Sequence, residues 1–184
     1  MKATGIVRRI DELGRVVVPK EIRRTLRIRG GDPLEIFTDR DGEVILKKYS
    51  PIGELSNFAK EYTESLVRAL GHVAVICDKD QVISASGSMR KELQDKAISS
   101  EMEHVLKERR TVSCSARDGK TVPVLAGEEN PAPYSAQVIT PILVEGEAVG
   151  AVMLLSKEPN IRMGETEIKV TETAAGFIGR QMEQ

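Results

Sequence analysis

Residues 2–49 read KATGIVRRIDELGRVVVPKEIRRTLRIRGGDPLEIFTDRDGEVILKKY, and their periodicity decides what kind of molecule this is. Alternation of apolar and polar residues predicts four short strands, Thr4 to Ile10, Arg15 to Val18, Leu34 to Thr38 and Val44 to Lys48, with turns at Leu13-Gly14 and Asp41-Gly42. Pro19 suits a helical first turn, and Gly30-Gly31 followed by Asp32-Pro33 ends it, so about two turns of helix fit between the second and third strands. On a helical wheel Ile22 and Leu26 share one narrow arc, with Arg23, Arg24 and Arg27 roughly opposite. The expectation is a helix that buries its aliphatic face and presents guanidinium groups.

A segment of about 50 residues buries too little surface to be comfortable alone, and short strands leave unpaired edges. With no disulfide or metal ligands in the stretch, a second copy of the chain is the expected source of the missing core. Charge points to a polyanion as the other partner. Residues 1–50 hold twelve Lys and Arg against eight Asp and Glu, or +4. The whole chain holds 27 against 28, which leaves 15 against 20, or −5, for the rest. A basic head therefore sits on an acidic body.

The strings TGIVRRIDELGRVVVP, EIRRTLRI, GGDPLEI and VILKKY, in this order, resemble the AbrB-type swapped-hairpin DNA-binding family over nearly its whole length. The resemblance implies two chains interleaving their hairpins into a small barrel-like dimer that binds double-stranded DNA. The family positions matched are Arg8, Arg15, Arg23 and Arg24, with Arg9, Lys2 and Lys20 as auxiliaries. Phosphate contacts supply affinity but little sequence information, and there is no long recognition helix, so substantial readout of DNA deformability is expected.

Length, 184 residues, and 40% hydrophobic content allow one or two ordinary globular domains. The N-terminus, MKATGIVRR, has no signal-peptide apolar run and no later stretch approaches a membrane span, so a cytoplasmic, nucleoid-associated protein is expected, without a membrane partner. No internal repeat stands out. Ser50-Pro51-Ile52-Gly53 breaks the pattern, giving a head at 1–50, a linker at 51–53 and a second domain at 54–184.

In the second domain Leu55, Phe58, Tyr62 and Leu66 predict a helix from Glu54 to Leu70 closed by Gly71. A hairpin follows, from strands at His72 to Cys77 and Gln81 to Ala85. Two short helices come next, Met89 to Ile98 and Ser100 to Arg109, the latter with Ser100 and Glu103 at capping-box spacing. Strand character returns at Thr111 to Ser115 and at Thr121 to Leu125. Beyond a Pro-containing loop at Gly127 to Ser135, two long strands, Gln137 to Val144 and Ala148 to Leu155, form the most apolar part of the chain, the second reading as central. A last helix runs from Glu165 to the end.

This order of elements resembles the GAF domain family. The resemblance implies either a small-molecule ligand held between sheet and helices or a body that serves association, and no residue set here names a ligand. The fold class expected is α+β, a swapped-hairpin barrel-like dimerisation and DNA-binding domain followed by a GAF-like α/β/α domain with an antiparallel sheet. Head and body together resemble regulators of genes in the developing bacterial spore, which implies activation or repression depending on promoter. Small residues in the last helix, Ala174, Ala175, Gly176 and Gly179, suit close approach of a partner helix. The first and last helices of the body are thus expected to pair between chains through Leu55, Phe58, Tyr62, Ile168, Ala175 and Ile178, giving a tetramer.

Other chemistry is poorly supported. His72 and His104 lack zinc-site spacing, and neither GxxxxGK[ST] nor GxGxxG occurs, so no metal, no cofactor and no enzyme activity is expected. Two alternatives remain: an antitoxin-type DNA-binding partner of a toxin, and a GAF-type methionine sulfoxide reductase with Cys77 and Cys114 as nucleophile and resolver.

Overall fold

A computed structural model of the chain describes residues 4–128 and 132–183 and divides into two compact units at Tyr49/Ser50. In the first, α1 (Lys20–Thr25) precedes a hairpin of β1 (Leu34–Thr38) and β2 (Val44–Lys48), paired from Leu34↔Lys48 to Thr38↔Val44. These two strands lie where the alternation puts them. The segments expected as the first two strands, Thr4 to Ile10 and Arg15 to Val18, are not strands here, because neither pairs with the β1–β2 hairpin and backbone without a ladder partner forms no strand. Only the turn between them is closed, by Asp11 N–H to Arg15 O at 3.0 Å and Gly14 N–H to Asp11 O at 2.9 Å.

That turn and the β1–β2 turn are built alike. Asp11 Oδ1 accepts the N–H groups of Leu13 (3.0 Å) and Arg15 (2.8 Å), while Asp39 Oδ1 accepts those of Asp41 (3.0 Å) and Glu43 (2.9 Å). Gly14 and Gly42 occupy the same left-handed position, at φ 75° and 80°. Asp-x-x-Gly-x thus occurs twice, a short local repeat that composition and alternation do not reveal.

The second unit is a three-layer sandwich. Its sheet, in the order β4-β3-β7-β6-β5, comprises β3 (Val73–Asp78), β4 (Val82–Ser86), β5 (Val112–Ser115), β6 (Ala136–Val144) and β7 (Glu147–Ser156), each antiparallel to its neighbours. As the near-continuous apolar run suggests, β7 is central. Alternate residues of β3 and β7 enter two cores. Val75, Cys77, Met153 and Leu155 pack with α4 (Arg90–Leu93), α5 (Ser100–Glu108) and with Val124, Ala132 and Tyr134. Ala74, Ile76, Val152 and Leu154 pack with α2 (Pro51–Glu54), α3 (Ser56–Leu70) and α6 (Glu165–Met182). Burial on both faces explains why these strands lack polar alternation.

Several details differ from the sequence expectation. Residues 51–53 are not an extended connector: Ser50 caps α2, its Oγ accepting Gly53 N–H (3.1 Å) and donating to Asp78 Oδ2 (2.8 Å). Ile52 is fully buried, opposite a glycine, Gly150, whose missing side chain leaves it room. The helix expected over Met89 to Ile98 is only α4, because Gln94 leaves it and pairs with the open edge of β4, accepting Ala85 N–H (3.0 Å) and donating to Ile83 O (2.9 Å). The cap of α5 is Ser99 rather than Ser100, its hydroxyl accepting Met102 N–H at 2.9 Å. Residues 121–125 form no strand beyond a single Ile98↔Leu125 bridge, since Gln137 on β6 satisfies both backbone groups of Val122 with its side-chain amide.

Candidate nucleic-acid interface

The candidate DNA-contacting residues within the described part of the first unit stand on its arm, its first turn and its helix. Arg8 and Arg9 are exposed on the arm before the first turn. Arg15 leaves that turn with its side chain 69% exposed, Nε donating to Asp11 Oδ2 at 2.9 Å. The backbone N–H of Arg15, then its side chain, hold the Asp11 carboxyl below the ordinary carboxylate value, so Asp11 stays an anion that fixes the direction of Arg15. Lys20 and Arg24 are exposed on α1, whereas Lys2 lies outside the described residues.

Arg23 departs from the expected outward arc. It is half-buried, and its Nε is buried with no hydrogen-bond partner. Leu26, expected inside, is 55% exposed, for it is the C-cap residue and lies past the last full turn. The helix ends before the glycines because the chain reverses at Arg27, in the left-handed region at φ 52°. Ile28 N–H reaches back to Arg23 O (2.7 Å) and Arg27 N–H to Arg24 O (3.3 Å), the double bond pattern of a Schellman turn. Glycine usually occupies the Arg27 position, and a side chain there costs on the order of 1–2 kcal/mol.

Residues that the charge count left anonymous hold this turn. Lys48 Nζ, from the end of β2, donates to Arg27 O and pairs with Asp32 Oδ2, both at 3.1 Å. The same carboxylate oxygen accepts Arg29 N–H at 2.8 Å. Burial alone pushes the Asp32 carboxyl up, but the Arg29 N–H together with the Lys48 hydrogen bond and charge outweigh it, and the net displacement is downward.

Around these cations lies apolar surface. Among the described residues of the first unit only Pro19 is buried. Eleven large apolar side chains are exposed, among them Val7 at 88%, Leu13 at 74%, Val17 at 69%, Val44 at 67% and Ile36 at 66%. A hydrophobic complement of this kind in so small a unit marks an interface.

In the second unit the proposed pairing residues divide. Ala175 and Ile178 are buried in the chain's own core, and Gly179 is required there because a side chain would strike the carbonyl of Leu143. Leu55, Phe58, Tyr62 and Ile168 are half-buried. Phe58 and Tyr62 form an aromatic cluster with Phe177, which is 43% exposed, at centroid separations of 5.5, 5.8 and 6.3 Å. Phe177 is not among the pairing residues expected from sequence.

The two thiols are separated by the sheet. Cys77 on β3 is fully buried and pushed up to about 12, by burial and then by the Asp78 charge. Cys114 on β5 is half-buried, its Sγ donating to Gln137 Oε1 at 3.2 Å, and burial raises it too. Strands β7 and β6 intervene, which puts the two thiols roughly 14 Å apart at ~4.8 Å per strand. That is far beyond disulfide reach, so they cannot act as nucleophile and resolver. His104 meets only Glu108 of its own helix (3.4 Å), and His72 stands 3.9 Å from Glu167. Among the described residues no cluster of three or more metal-binding side chains occurs, and no helix is long and apolar enough to cross a membrane.

Residues 54–183 match the family model described as stage V sporulation protein T C-terminal, transcription factor, and residues 7–54 match that of antidote-toxin recognition MazE, bacterial antitoxin. The stage V sporulation protein T of Bacillus subtilis (strain 168) is 57% identical over 184 residues, all of both chains. The transition state regulatory protein AbrB of the same organism is 65% identical over 51 residues, 28% of this chain and 52% of that one. Among solved structures, the GAF domain of an Acinetobacter phosphoenolpyruvate-protein phosphotransferase aligns with TM-score 0.57 at 14% identity, over 74% of this chain and 84% of that one. A type II free methionine-R-sulfoxide reductase from Thermoplasma acidophilum aligns with TM-score 0.53 at 10% identity, over 70% and 94%, a likeness of fold.

Proposed function

The chain belongs to the stage V sporulation protein T family of transcription factors, a regulator of sporulation genes, and from that premise we propose how its two units divide the work. The first unit dimerises by interleaving the arms 4–18 of two chains, covering the exposed apolar side chains of both, and the dimer binds double-stranded DNA through Arg8, Arg15, Arg23 and Arg24. Arg9, Lys2 and Lys20 add phosphate contacts. The observation that carries this reading is the coincidence, among the described residues of the first unit, of eleven uncovered apolar side chains, in a segment whose net charge is basic. Burial of each such side chain is worth roughly 1.5–3 kcal/mol, enough in sum to make the folded head a dimer rather than a monomer.

The second unit joins dimers into a tetramer through Phe58, Tyr62 and Phe177, with Leu55 and Ile168 at the margin, and the protein works on the nucleoid in the cytoplasm. Its GAF-like sandwich either senses a small molecule or serves only association. A ligand alters DNA affinity only if it binds two arrangements of the body unequally.

Sequence selection from a pool of randomised duplexes, with the intact protein, tests the regulatory reading. Enrichment of related sequences supports it, and an unenriched pool removes sequence-selective regulation. The toxin-partner reading draws on the antitoxin model matched at residues 7–54. Against it, the chain continues into a folded five-stranded sandwich where an antitoxin needs an extended tail.

A further inference from the structure

Lys48 and Asp32 lie outside the set of DNA-contacting cations, yet both act on the turn that carries them. Lys48 is fixed at the end of β2 by its pairing with Leu34, and Tyr49 N–H continues the ladder to Pro33 O at 3.0 Å. From there its ammonium spans 21 residues of sequence to the carbonyl of Arg27. It thereby ties the turn that closes α1 to the hairpin. Two C-terminal acceptors of the helix, the carbonyls of Arg23 and Arg24, take the N–H groups of Ile28 and Arg27, and Lys48 satisfies the carbonyl of Arg27 just beyond them. Asp32 holds the ammonium in place while bonding Arg29 N–H, so one carboxylate joins the strand end to the segment following the helix. Arg27 sits in a backbone conformation that side chains disfavour, and such strain persists only where neighbours over-determine it.

We propose that Lys48 and Asp32 are positioning residues for DNA recognition, a latch that locks the left-handed turn at Arg27 and so aims Arg23 and Arg24 at the duplex. Lys48 is then a structural cation rather than a phosphate contact. The inference rests on the reading that the first unit binds DNA.

The two roles predict opposite signs for Asp32→Asn. This variant removes one negative charge per chain, so an electrostatic surface alone binds every duplex more tightly. A latch loses a charge-assisted bond and its aim, and selected DNA is bound about tenfold more weakly. The test is anisotropy of the intact tetramer or dimer on a selected duplex and on a scrambled one, for wild type, Asp32→Asn, Lys48→Met and Lys48→Met/Arg27→Gly. The expected result is a lower ratio of selected to scrambled affinity in Asp32→Asn and Lys48→Met, with the scrambled duplex little changed. Glycine at position 27, which adopts the turn without strain, restores part of that ratio in the double variant. A merely structural loss lowers both affinities together and leaves the ratio unchanged, and that result overturns the latch, as does tighter binding by Asp32→Asn. If wild type itself binds no duplex, the reading of the unit fails and not the latch alone.

Discussion

At the scale of single residues, a few buried polar groups bear more weight than their number suggests. Gln137, fully buried on β6, accepts from Val122 N–H and donates to Val122 O, both at 2.7 Å, and accepts from the Cys114 thiol. Gln137→Leu leaves the Val122 backbone groups without partners inside the protein, and urea denaturation should show a loss of about 2–4 kcal/mol. Asp32 makes a prediction in pH. Its carboxyl is held below its unfolded value of 3.8, so its contribution to the head is complete above that value and disappears as pH falls through the lower folded one. Acid titration of the intact protein should therefore show a phase in the head signal below about pH 4 that Asp32→Asn lacks. Neither residue was marked by sequence reasoning, because a glutamine on a strand and an aspartate before a proline each look like surface or turn until the fold brings their partners to them.

At the scale of elements, room is set by glycines with opposite roles. A methyl group at Gly150 would collide with the Cys77 carbonyl and with Ile52, so Gly150→Ala should displace α2 and cost roughly 1–3 kcal/mol. Gly176, within α6, has nothing within 4 Å of the added carbon, and Gly176→Ala should stabilise the body by about 0.5–1 kcal/mol. Thermal melts of the two variants check both signs. The elements themselves were largely legible: β1, β2, the antiparallel hairpin of β3 and β4, central β7 and the Gly71 stop of α3 follow from alternation, helical spacing and turn residues. What was not legible is non-local. Gln94 ends α4 to cover a sheet edge, and α2 forms because Ile52 finds a socket beside Gly150, a partner nearly 100 residues away in sequence.

At the scale of the whole molecule, the alternation that predicts strands at Thr4 to Ile10 and Arg15 to Val18 yields no strand in the chain. The apolar residues of these segments are exposed, and in the proposed dimer they meet a second copy. The candidate arginines could be named from sequence because charge needs no fold to be counted, whereas the half-buried position of Arg23 and the left-handed turn at Arg27 required one. In the body, Phe177 with Phe58 and Tyr62 supplies the proposed dimer-to-tetramer contact, and Phe177→Ser should shift the mass in light scattering from tetramer to dimer without unfolding the sheet. The measurement that bears most directly on the central claim is fluorescence anisotropy of the intact protein on duplex DNA across a salt series, beside Arg8→Ala/Arg15→Ala/Arg23→Ala/Arg24→Ala. With about six phosphates neutralised per dimer, log affinity should fall against log salt with a slope near −5, and the variant should lose most of that slope. A slope unchanged in the variant, or no binding by the wild type, would contradict the assignment of these arginines and of the head as the DNA-binding unit.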